Sequence, residues 1–250
     1  MIVVIPTKNE SKHILRAISS AKNLSNKIYV VDSQSKDSTI ELALSQNVEI
    51  IQAPKNINFA EKMNFIYHND LFNGEYIFRH DADEIITKKD AEFVKKALEK
   101  EKFLCYSIVR KLSFMGHKLN FGGIGMRSPR LALANSIRYE DTPLDERVFV
   151  KNNKIKDIKA YIYDFPILGF NEWIAKHIKY SGLEAELIFK SKGIHLLKKP
   201  IKLKLYYLLP PIIRPFIYFI FRYVLLLGFF DRLPGLLFHL SHSLIYRLII

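Results

Sequence analysis

Three acidic residues stand within four positions in the segment FRHDADE, namely Asp81, Asp83 and Glu84. A run of strand-forming residues precedes them directly, so we expect the acids at the end of a β-strand. Aspartates in D-x-D spacing supply the hard oxygen ligands of Mg²⁺ or Mn²⁺, which proteins usually hold with one or two carboxylates plus phosphate oxygens. The alternative is a solvated turn in which Asp81 or Asp83 caps the next helix. Thr87 is better placed for that cap, which weakens the alternative.

Polar residues also follow the first two predicted strands. The first strand ends in PTKNE and the second in DSQSKDST, where Asp32 stands at the strand terminus. A carboxylate there can accept hydrogen bonds from ribose hydroxyls or a base N–H, or it can cap the following loop and helix together with Ser33. Because ligands of open parallel sheets collect at the carboxyl ends of the strands, we expect all three polar segments to contact one ligand.

The first hundred residues alternate between strand and helix patterns. The predicted strands are MIVVIP, KIYVVD, VEIIQA and EYIFRHD, and the predicted helices are SKHILRAISSAK, STIELALSQ, AEKMNFIYHNDLF and TKKDAEFVKKALEKE. Asn9 or Ser11 is expected to cap the first helix. Ser38 and Glu41 have the spacing of a capping box at the second helix. The alternation predicts an α/β fold with a parallel sheet covered by helices on both faces.

A strand-rich region follows, from about Phe103 to Ile162. Its segments FLCYSIVRKLSFM, PRLALA and ERVFVKNNKIKDIKAYIYDF are typical of hairpins, and the glycine-rich FGGIG separates the first two. The next segment, NEWIAKHIKYSGLEAELIFKSKG, has a helical pattern that places Trp173 and His177 along one side. We interpret Trp173 as a core residue rather than as a platform for a sugar ring.

The composition excludes several classes of protein. An apolar fraction of 49% over 250 residues argues against intrinsic disorder and allows a substantial core. The single cysteine, Cys105, excludes an internal disulfide and any zinc-finger spacing, which fits a reducing compartment. The opening MIVVIPTKNE lacks the basic start and the long apolar run of a signal peptide, so we interpret it as the first strand.

The formal charge of +13 is spread unevenly, because residues 191–250 carry nine Lys or Arg but one acid, Asp231. Within them, LKLYYLLPPIIRPFIYFIFRYVLLLGFFDRLPGLLFHLSHSLIYRLII is almost as apolar as a membrane span. Arg214, Arg222 and Asp231 interrupt it, as do Pro210, Pro211 and Pro215, so no run reaches the ~20 residues that a span requires. Aromatic residues mixed with arginines are typical of amphipathic helices in the membrane interface.

This pattern indicates a body of residues 1–190 and a basic, apolar, membrane-associating helical tail of residues 191–250. The expected partner of the tail is an anionic membrane surface, and nucleic acid is the competing, less favoured partner. Two alternatives for the tail stay open, an ordinary C-terminal helical pair packed on the body and a re-entrant membrane element.

Taken together, VVIPTKNE, VVDSQSKDST and FRHDADE resemble, in order and spacing, the nucleotide-sugar half of family 2 glycosyltransferases. NEWIAKHIKYSGLEAE and RPFIYFIFRYVLLLGFFDRLPGLLFHL are similar to segments of bacterial members that build lipopolysaccharide or exopolysaccharide. The resemblance implies a glycosyltransferase-A-type, Rossmann-like mixed sheet flanked by helices, with a C-terminal amphipathic helical segment. Residues 1–190 would then form the nucleotide-sugar-binding and catalytic domain.

The same resemblance implies a donor pocket at the three strand ends. The residues that would line it are Pro6, Thr7, Asn9, Glu10, Asp32, Lys62 and Asp81. Asp83, with Asp81 beside it, would hold the Mg²⁺ or Mn²⁺ that bridges the donor diphosphate. Where family members commonly have an apolar residue before the D-x-D, this chain has His80.

A carboxylate is also needed as general base, to activate the acceptor hydroxyl that attacks the anomeric carbon. The segment RYEDTPLDERVFV supplies the candidates, of which we favour Glu146, then Asp145, then Asp141. Members of the subgroup commonly have an acidic pair followed by His, where this chain has Arg147. The alternative is an exposed acidic loop balanced by neighbouring arginines.

Lys176 and His177, on the predicted helix after the sheet, are candidates to reach the diphosphate oxygens. The alternative is that His177 is packed and satisfied within the fold. His239 and His242, three residues apart in the tail, lack an evident third ligand, so we do not expect a metal site there.

The expected function is therefore inverting, metal-assisted transfer of a hexose from a UDP- or GDP-sugar to a growing surface glycan, lipid-linked or part of lipopolysaccharide or exopolysaccharide. The expected location is the cytoplasmic face of the cell membrane, with the protein bound peripherally. One rival is a sugar nucleotidyltransferase, but PTKNES lacks the glycine-rich loop that such an enzyme needs. Another is a non-catalytic basic protein that binds membranes or nucleic acid.

Overall fold

The structure, a computed structural model, describes residues 1–141, 147–167, 169–190 and 208–246. These residues form two compact units. The first unit contains the described residues within 1–113, 125–142 and 146–167, and the second contains those within 114–124 and 168–250.

The strands of the described chain all lie before residue 165. They are β1 (Ile2–Thr7), β2 (Ile28–Asp32), β3 (Glu49–Gln52), β4 (Tyr76–Arg79), β5 (Glu84–Ile85), β6 (Cys105–Phe114), β7 (His117–Lys118), β8 (Met126–Leu133), β9 (Ile137–Glu140), β10 (Arg147–Val150) and β11 (Ile155–Asp164).

Helices follow the early strands and make up most of the C-terminal part. The α-helices are α1 (Ile14–Ala21), α2 (Thr39–Leu44), α3 (Phe59–Tyr67), α4 (Lys88–Lys100), α5 (Phe170–Lys190), α6 (Arg214–Phe219) and α7 (Arg232–Ser241). The remaining helical turns are of the 3₁₀ type at Asp70–Phe72 and Gly228–Asp231, and of the π type at Ile220–Leu225 and His242–Tyr246.

The main sheet has the strand order β3-β2-β1-β4-β8-β6-β11-β5. Strands β1 to β4 are parallel, whereas β8 is antiparallel to both of its neighbours, β4 and β6. Strand β11 is parallel to β6, and β5 is antiparallel to β11. The sheet is therefore mixed and is flanked by helices, which confirms the predicted α/β fold class.

The core of the first unit lies on both faces of this sheet. Successive strand residues point to opposite faces. Val3 and Ile5 of β1 accordingly pack in one cluster with the buried side of α1, while Ile2 and Val4 pack in another with α3. A strand that is buried on both faces needs apolar residues at every position. This explains why MIVVIP is a continuous apolar run and does not alternate between apolar and polar residues.

Two of the predicted helix caps differ from the observed ones. Thr87 does cap α4, because its hydroxyl accepts the Asp90 N–H at 3.1 Å. Ser38 makes no cap hydrogen bond at α2, so the predicted capping box is wrong. α1 begins at Ile14, and His13 before it likewise makes no side-chain cap. The reason is that the polar residues before these helices bond to each other across two loops, as described below.

The strand-rich half also departs from a series of simple hairpins. β6 and β8 are antiparallel neighbours, and β9 and β10 form a separate two-stranded sheet. β11 does not pair with β10, because it joins the main sheet beside β6 instead.

The second unit has its own small apolar core. Phe114, Leu119, Trp173 and Phe238 pack together there, and Trp173 is 7% exposed. The ring centroids of Phe114 and Trp173 are 5.1 Å apart in an edge-to-face arrangement. This confirms the interpretation of Trp173 as a core residue. Among the residues that the structure describes, no helix has both the length and the hydropathy needed to cross a bilayer.

Gly122, in the glycine-rich segment, is held by the C-terminal helices of the same unit. Its N–H donates to the Leu226 carbonyl at 2.8 Å, and its carbonyl accepts from Arg222 Nε at 2.7 Å. Its φ of +77° lies in the left-handed region, and an added Cβ would stand 2.2 Å from His239 Nε2. Both the backbone and the packing therefore require glycine here.

We expect Gly122→Ala to lower the free energy of unfolding by about 3 kcal/mol. The alanine would strain the left-handed backbone, and its Cβ would also overlap with buried His239. Gly116→Ala is the matched control, because Gly116 has a φ of +78° but nothing within 4 Å of an added Cβ. That control should lose about 1 kcal/mol. Urea unfolding of both variants measures the difference, and equal losses would contradict the packing argument.

Candidate functional site

The loops after β1 and β2 are joined through Asp32, which is fully buried at the end of β2. Thr7 lies opposite Asp32 in the sheet register, and its hydroxyl donates to Asp32 Oδ1 at 3.0 Å. The Ser35 N–H donates to Asp32 Oδ2 at 2.8 Å, and the Ser35 hydroxyl donates to Oδ1. Asp32 thus fixes its own loop and the end of β1 in one arrangement.

Further hydrogen bonds connect the same two loops. The Asn9 N–H donates to Ser35 Oγ, and Asn9 Oδ1 accepts the Lys36 N–H, both at 2.8 Å. Asn9 adopts a φ of 57°, a left-handed conformation that asparagine tolerates better than most residues. The Glu10 N–H donates to Thr39 Oγ1 at 2.8 Å. The predicted site segments PTKNE and DSQSKDST therefore form one rigid rim at the carboxyl ends of β1 and β2.

Asp37 strengthens this rim. Its carboxylate accepts the Ser11 N–H at 3.1 Å and the Thr39 N–H at 3.1 Å. Although burial acts to raise it, these hydrogen bonds, those from Thr39 foremost, lower the pKa of Asp37 to about 2. The aspartate is therefore ionised at any physiological pH and keeps both loops in place.

Lys62 of α3 lies where the three strand ends meet. Its Nζ donates to the Thr7 carbonyl at 3.4 Å. Burial lowers the pKa of Lys62, while the charges of Asp32 and Asp81 act to raise it. A half-buried ammonium group beside carboxylates from β2 and from the D-x-D segment is suited to bind the anionic part of a ligand. The structure thus brings the predicted residues Thr7, Asp32, Lys62 and Asp81 together.

The carboxylate of Asp81 is engaged by two arginines. Arg79 Nε and Nη2 donate to its two oxygens, each at 2.7 Å, which is the bidentate geometry of a strong ion pair. Arg130 Nη1, from β8, donates to Asp81 Oδ2 at 2.9 Å. Both Asp81 oxygens thus accept from guanidinium groups, and the part of Asp81 in metal binding stays a prediction.

Arg130 joins Asp81 to Glu84. It is 1% exposed, and its Nη2 donates to Glu84 Oε1 at 2.5 Å. Glu84 Oε2 in turn accepts the Asp81 N–H at 3.0 Å. Burial opposes ionisation of Asp81, but Arg130 and Arg79 together hold the pKa of this carboxyl well below its ordinary value. Glu84 therefore holds the turn in place, and the two guanidinium groups reduce the electrostatic repulsion between the neighbouring acidic side chains.

Asp83 has a different environment from Asp81. It is half-buried, its carbonyl accepts the Phe165 N–H at 2.8 Å, and its charge acts on Arg16 of α1. No cluster of three or more His, Cys, Asp or Glu suited to a metal ion occurs among residues 1–141, 147–167, 169–190 and 208–246. Mg²⁺ sites that use substrate phosphates need only one or two carboxylates. The donor set at Asp83 fits an ion of this kind if a bound diphosphate supplies the remaining oxygens.

His80, which replaces an apolar residue of the family pattern, is fully buried beneath the site. Burial lowers its pKa to about 4, so the imidazole is neutral at physiological pH. It therefore lies in the core as a neutral ring.

The candidate general bases fall between β9 and β10 in the sequence. Asp141, the third choice, is exposed directly after β9. Glu146 and Asp145, the first and second choices, lie outside the described residues. Arg147 stands opposite Glu140 in the hairpin register, and its Nη1 is 3.6 Å from Glu140 Oε2. Arg147, at the position where the resemblance implies a His, thus belongs to an exposed cross-strand ion pair.

Lys176 and His177 lie on α5, in the second unit. The His177 ring stacks on Trp173 with centroids 3.8 Å apart, and its Nδ1 is 2.8 Å from the Trp173 carbonyl oxygen. Lys176 is exposed, with Nζ 5.9 Å from the centre of the Tyr180 ring. Contact of either residue with a diphosphate stays a prediction, as does a role for half-buried Pro6 at the end of β1.

Sequence reasoning missed Arg79, Arg130 and Ser35. Arg130 has a local signal, since an arginine inside the apolar run PRLALA is expected to need a buried partner. Arg79 is separated by one residue from Asp81, so the alternation of a strand places both on one face. Ser35 has no comparable signal, because its bonds to Asp32 and Asn9 depend on how two loops fold together.

Comparison with protein families supports the resemblance of the site segments. The model of "Glycosyl transferase family 2" matches residues 2–158, which include all three strand ends. An uncharacterized glycosyltransferase of Rickettsia bellii (strain RML369-C) is 29% identical over 202 residues, which cover 74% of this chain and 66% of that protein. One of Rickettsia felis (strain ATCC VR-1525 / URRWXCal2) is 32% identical over 107 residues, or 42% of this chain and 37% of that protein. The chain thus spans less than two thirds of the length of these relatives.

Solved structures with partial similarity include glucosyl-3-phosphoglycerate synthase from Mycobacterium tuberculosis, crystallised with Mn²⁺, uridine-diphosphate and glucosyl-3-phosphoglycerate. It shares 19% identity at a TM-score of 0.38 and covers 43% of each chain. A mycobacterial protein shares 13% identity at a TM-score of 0.49, over 74% of this chain and 72% of that one. The family model covers more than half of this chain and all three segments of the candidate site. The chain belongs to glycosyl transferase family 2.

Proposed function

We propose that this protein is an inverting glycosyltransferase that moves a hexose from a UDP- or GDP-sugar to a lipid-linked, lipopolysaccharide or exopolysaccharide acceptor. The observation that carries the proposal is the convergence at Lys62. This cation lies beside the Thr7 carbonyl and near the carboxylates of Asp32 and Asp81. Cationic and hydrogen-bonding groups at the carboxyl ends of parallel strands are suited to a nucleoside diphosphate.

The rim residues have distinct roles in this proposal. Pro6, Thr7, Asn9 and Glu10 line the base and ribose side, and Asp32, fully buried behind them, fixes the loops that contact the nucleoside. Lys62 faces the diphosphate. Asp81, oriented by two arginines, contacts the ribose or the donor sugar. Because hydrogen bonds within the protein already fix these groups, little ordering is needed when the donor binds.

In the chemical step, an acceptor hydroxyl attacks the anomeric carbon on the face opposite the diphosphate. The bond from that carbon to the diphosphate oxygen breaks, which inverts the configuration. A carboxylate takes the hydroxyl proton, and Glu146 is the favoured base, followed by Asp145 and Asp141. Asp83 would hold Mg²⁺ or Mn²⁺, which when bound stabilises the charge on the leaving diphosphate.

A panel of sugar nucleotides tests this function. Purified full-length protein is incubated with each donor, Mg²⁺ or Mn²⁺, and membrane extract as acceptor, and release of nucleoside diphosphate is measured. We expect release from at least one UDP- or GDP-hexose. If correctly folded protein releases nucleoside diphosphate from no donor, the proposal fails.

The donor KM is expected to depend on pH through the partly buried Lys62. Its ammonium group binds diphosphate only when protonated, and burial lowers its pKa from the usual value near 10.5. The donor KM should therefore rise as the pH rises through this lowered pKa, at a lower pH than for an exposed lysine. Lys62→Gln should raise the donor KM roughly 10- to 100-fold and remove this pH dependence.

Lys62→Arg keeps the charge at all accessible pH values, so its KM should stay flat where the wild-type KM rises. Lys55→Gln, which removes an exposed lysine, controls for net charge. A wild-type KM that stays constant up to pH values around 10 would show that Lys62 does not bind the diphosphate.

A further inference from the structure

The C-terminal helices of the second unit expose an unusual amount of apolar surface. Half of the large apolar side chains that are exposed in the described chain fall within residues 208–246. On α6 and the π turn that follows, they recur at helical spacing on one side. We define this apolar face as Phe216, Ile217, Ile220, Phe221, Val224 and Leu225, which are 41–66% exposed. Soluble monomers seldom leave a continuous apolar stripe in contact with water.

Two of the charges that interrupt this apolar segment, Arg222 and Asp231, are directed away from the face. Arg222 donates from Nε to the Gly122 carbonyl at 2.7 Å and from Nη2 to the Gly123 carbonyl at 3.1 Å. Asp231 accepts the N–H groups of Asn120 and Phe121 at 2.9–3.1 Å. Arg222 therefore does not reach toward headgroups, as an arginine of an interfacial helix is expected to do. The charges hold the glycine-rich segment, and the apolar side chains stay outside.

A cleft of about 500 Å³ lies at the start of α7, within the same unit. It combines apolar side chains, including exposed Met115 and Leu233, with the exposed cations Lys118 and Arg232. Asp231 also lines it, but its carboxylate is directed to the two backbone N–H groups described above. The cleft thus offers two cations beside exposed apolar surface, which complements a ligand with an anionic head and an apolar body.

We propose that this cleft binds the phosphate of a bilayer lipid while the apolar face inserts among the acyl chains. The inference deepens the proposed function, since it rests on an acceptor located at a membrane. Charge complementarity selects the occupant, because Lys118 and Arg232 match a phosphate and an arginine can bind one in a bidentate manner. Insertion explains why Arg222 and Asp231 are turned inward, which a purely electrostatic contact does not require.

Vesicle flotation with the full-length protein tests this inference. One set of vesicles contains phosphatidylcholine alone, and the other also contains phosphatidylglycerol. The double variant Lys118→Gln/Arg232→Gln should weaken binding to the anionic vesicles roughly tenfold. Lys95→Gln/Lys96→Gln, which removes two exposed lysines of α4, should bind as wild type does. Phe216→Ser/Leu225→Ser should abolish flotation on both vesicles, and wild-type binding should persist in high salt.

Three results would overturn the inference. The first is that Lys95→Gln/Lys96→Gln weakens binding as much as Lys118→Gln/Arg232→Gln does, because the overall positive charge would then explain binding. The second is displacement of the protein from vesicles by inorganic phosphate, which would make the cleft a site for soluble phosphate. The third is a dimer that forms without lipid and is lost in Phe216→Ser/Leu225→Ser, since the face would then join two copies.

Nucleoside diphosphate release to water, measured on the same variants without vesicles, separates this inference from the proposed function. If release is normal but the wild type does not float, lipid binding fails and the transferase proposal stands. If the wild type floats as expected but releases nothing from any donor, the transferase proposal fails instead.

Discussion

Asp83→Asn is expected to lower kcat/KM for glycosyl transfer roughly 10³-fold, the equivalent of about 4 kcal/mol of transition-state stabilisation. The asparagine has the same shape but lacks the charge that would hold Mg²⁺ or Mn²⁺ against the donor diphosphate. The charge of Asp81 is already paired with Arg79 and Arg130, so we do not expect Asp81 to replace Asp83 in this role. Nucleoside diphosphate release, measured over a titration of each metal, gives the effect.

Asp70→Asn is the matched control, because Asp70 is exposed on the 3₁₀ turn before β4 and loses the same charge. Its rate should equal that of the wild type. Thermal unfolding of Asp83→Asn, compared with that of the wild type, separates loss of metal binding from loss of structure. Full activity of Asp83→Asn with both metals would contradict the role given to Asp83.

Arg130→Met is expected to lower the free energy of unfolding by about 3–5 kcal/mol, the usual cost of removing one partner from a buried ion-pair network. Arg130 is 1% exposed and bonds to half-buried Asp81 and buried Glu84, so its loss leaves both carboxyl groups without this partner. Urea unfolding at neutral pH measures the change. Donor turnover should also fall, because Asp81 loses one of the two groups that orient it.

A second variant separates charge from packing. Arg130→Met/Glu84→Gln removes both the guanidinium group and the buried carboxyl group that it binds, so it should recover a large part of the lost stability. Arg127→Met, on the same strand, breaks the exposed pair with Asp157 at 3.4 Å and should cost less than about 1 kcal/mol. If the double variant is as unstable as Arg130→Met alone, lost packing rather than unpaired charge explains the effect.

The helix caps show where local sequence patterns fail. Ser38 and Glu41 have capping-box spacing, yet Ser38 makes no cap bond, and the capping box occurs at Asn58 and Glu61 of α3 instead. Near Ser38, the loop side chains and N–H groups bond to the neighbouring loop after β1. A hydrogen bond across two loops competes with a local cap, and its geometry cannot be inferred from spacing along one segment.

The sequence by itself determined the order of strands and helices in the first hundred residues, the three polar strand ends and the resemblance to family 2. These features depend on local apolar periodicity and on residue types at strand ends, both of which can be recognised from the sequence alone. Only the tertiary structure decided that Arg130 binds Asp81 and that Arg222 turns toward Gly122, contacts that span 49 and 100 residues. The direction of a charged side chain depends on which distant group the fold brings within reach of it. The spacing of residues along the sequence does not show which groups become neighbours in space.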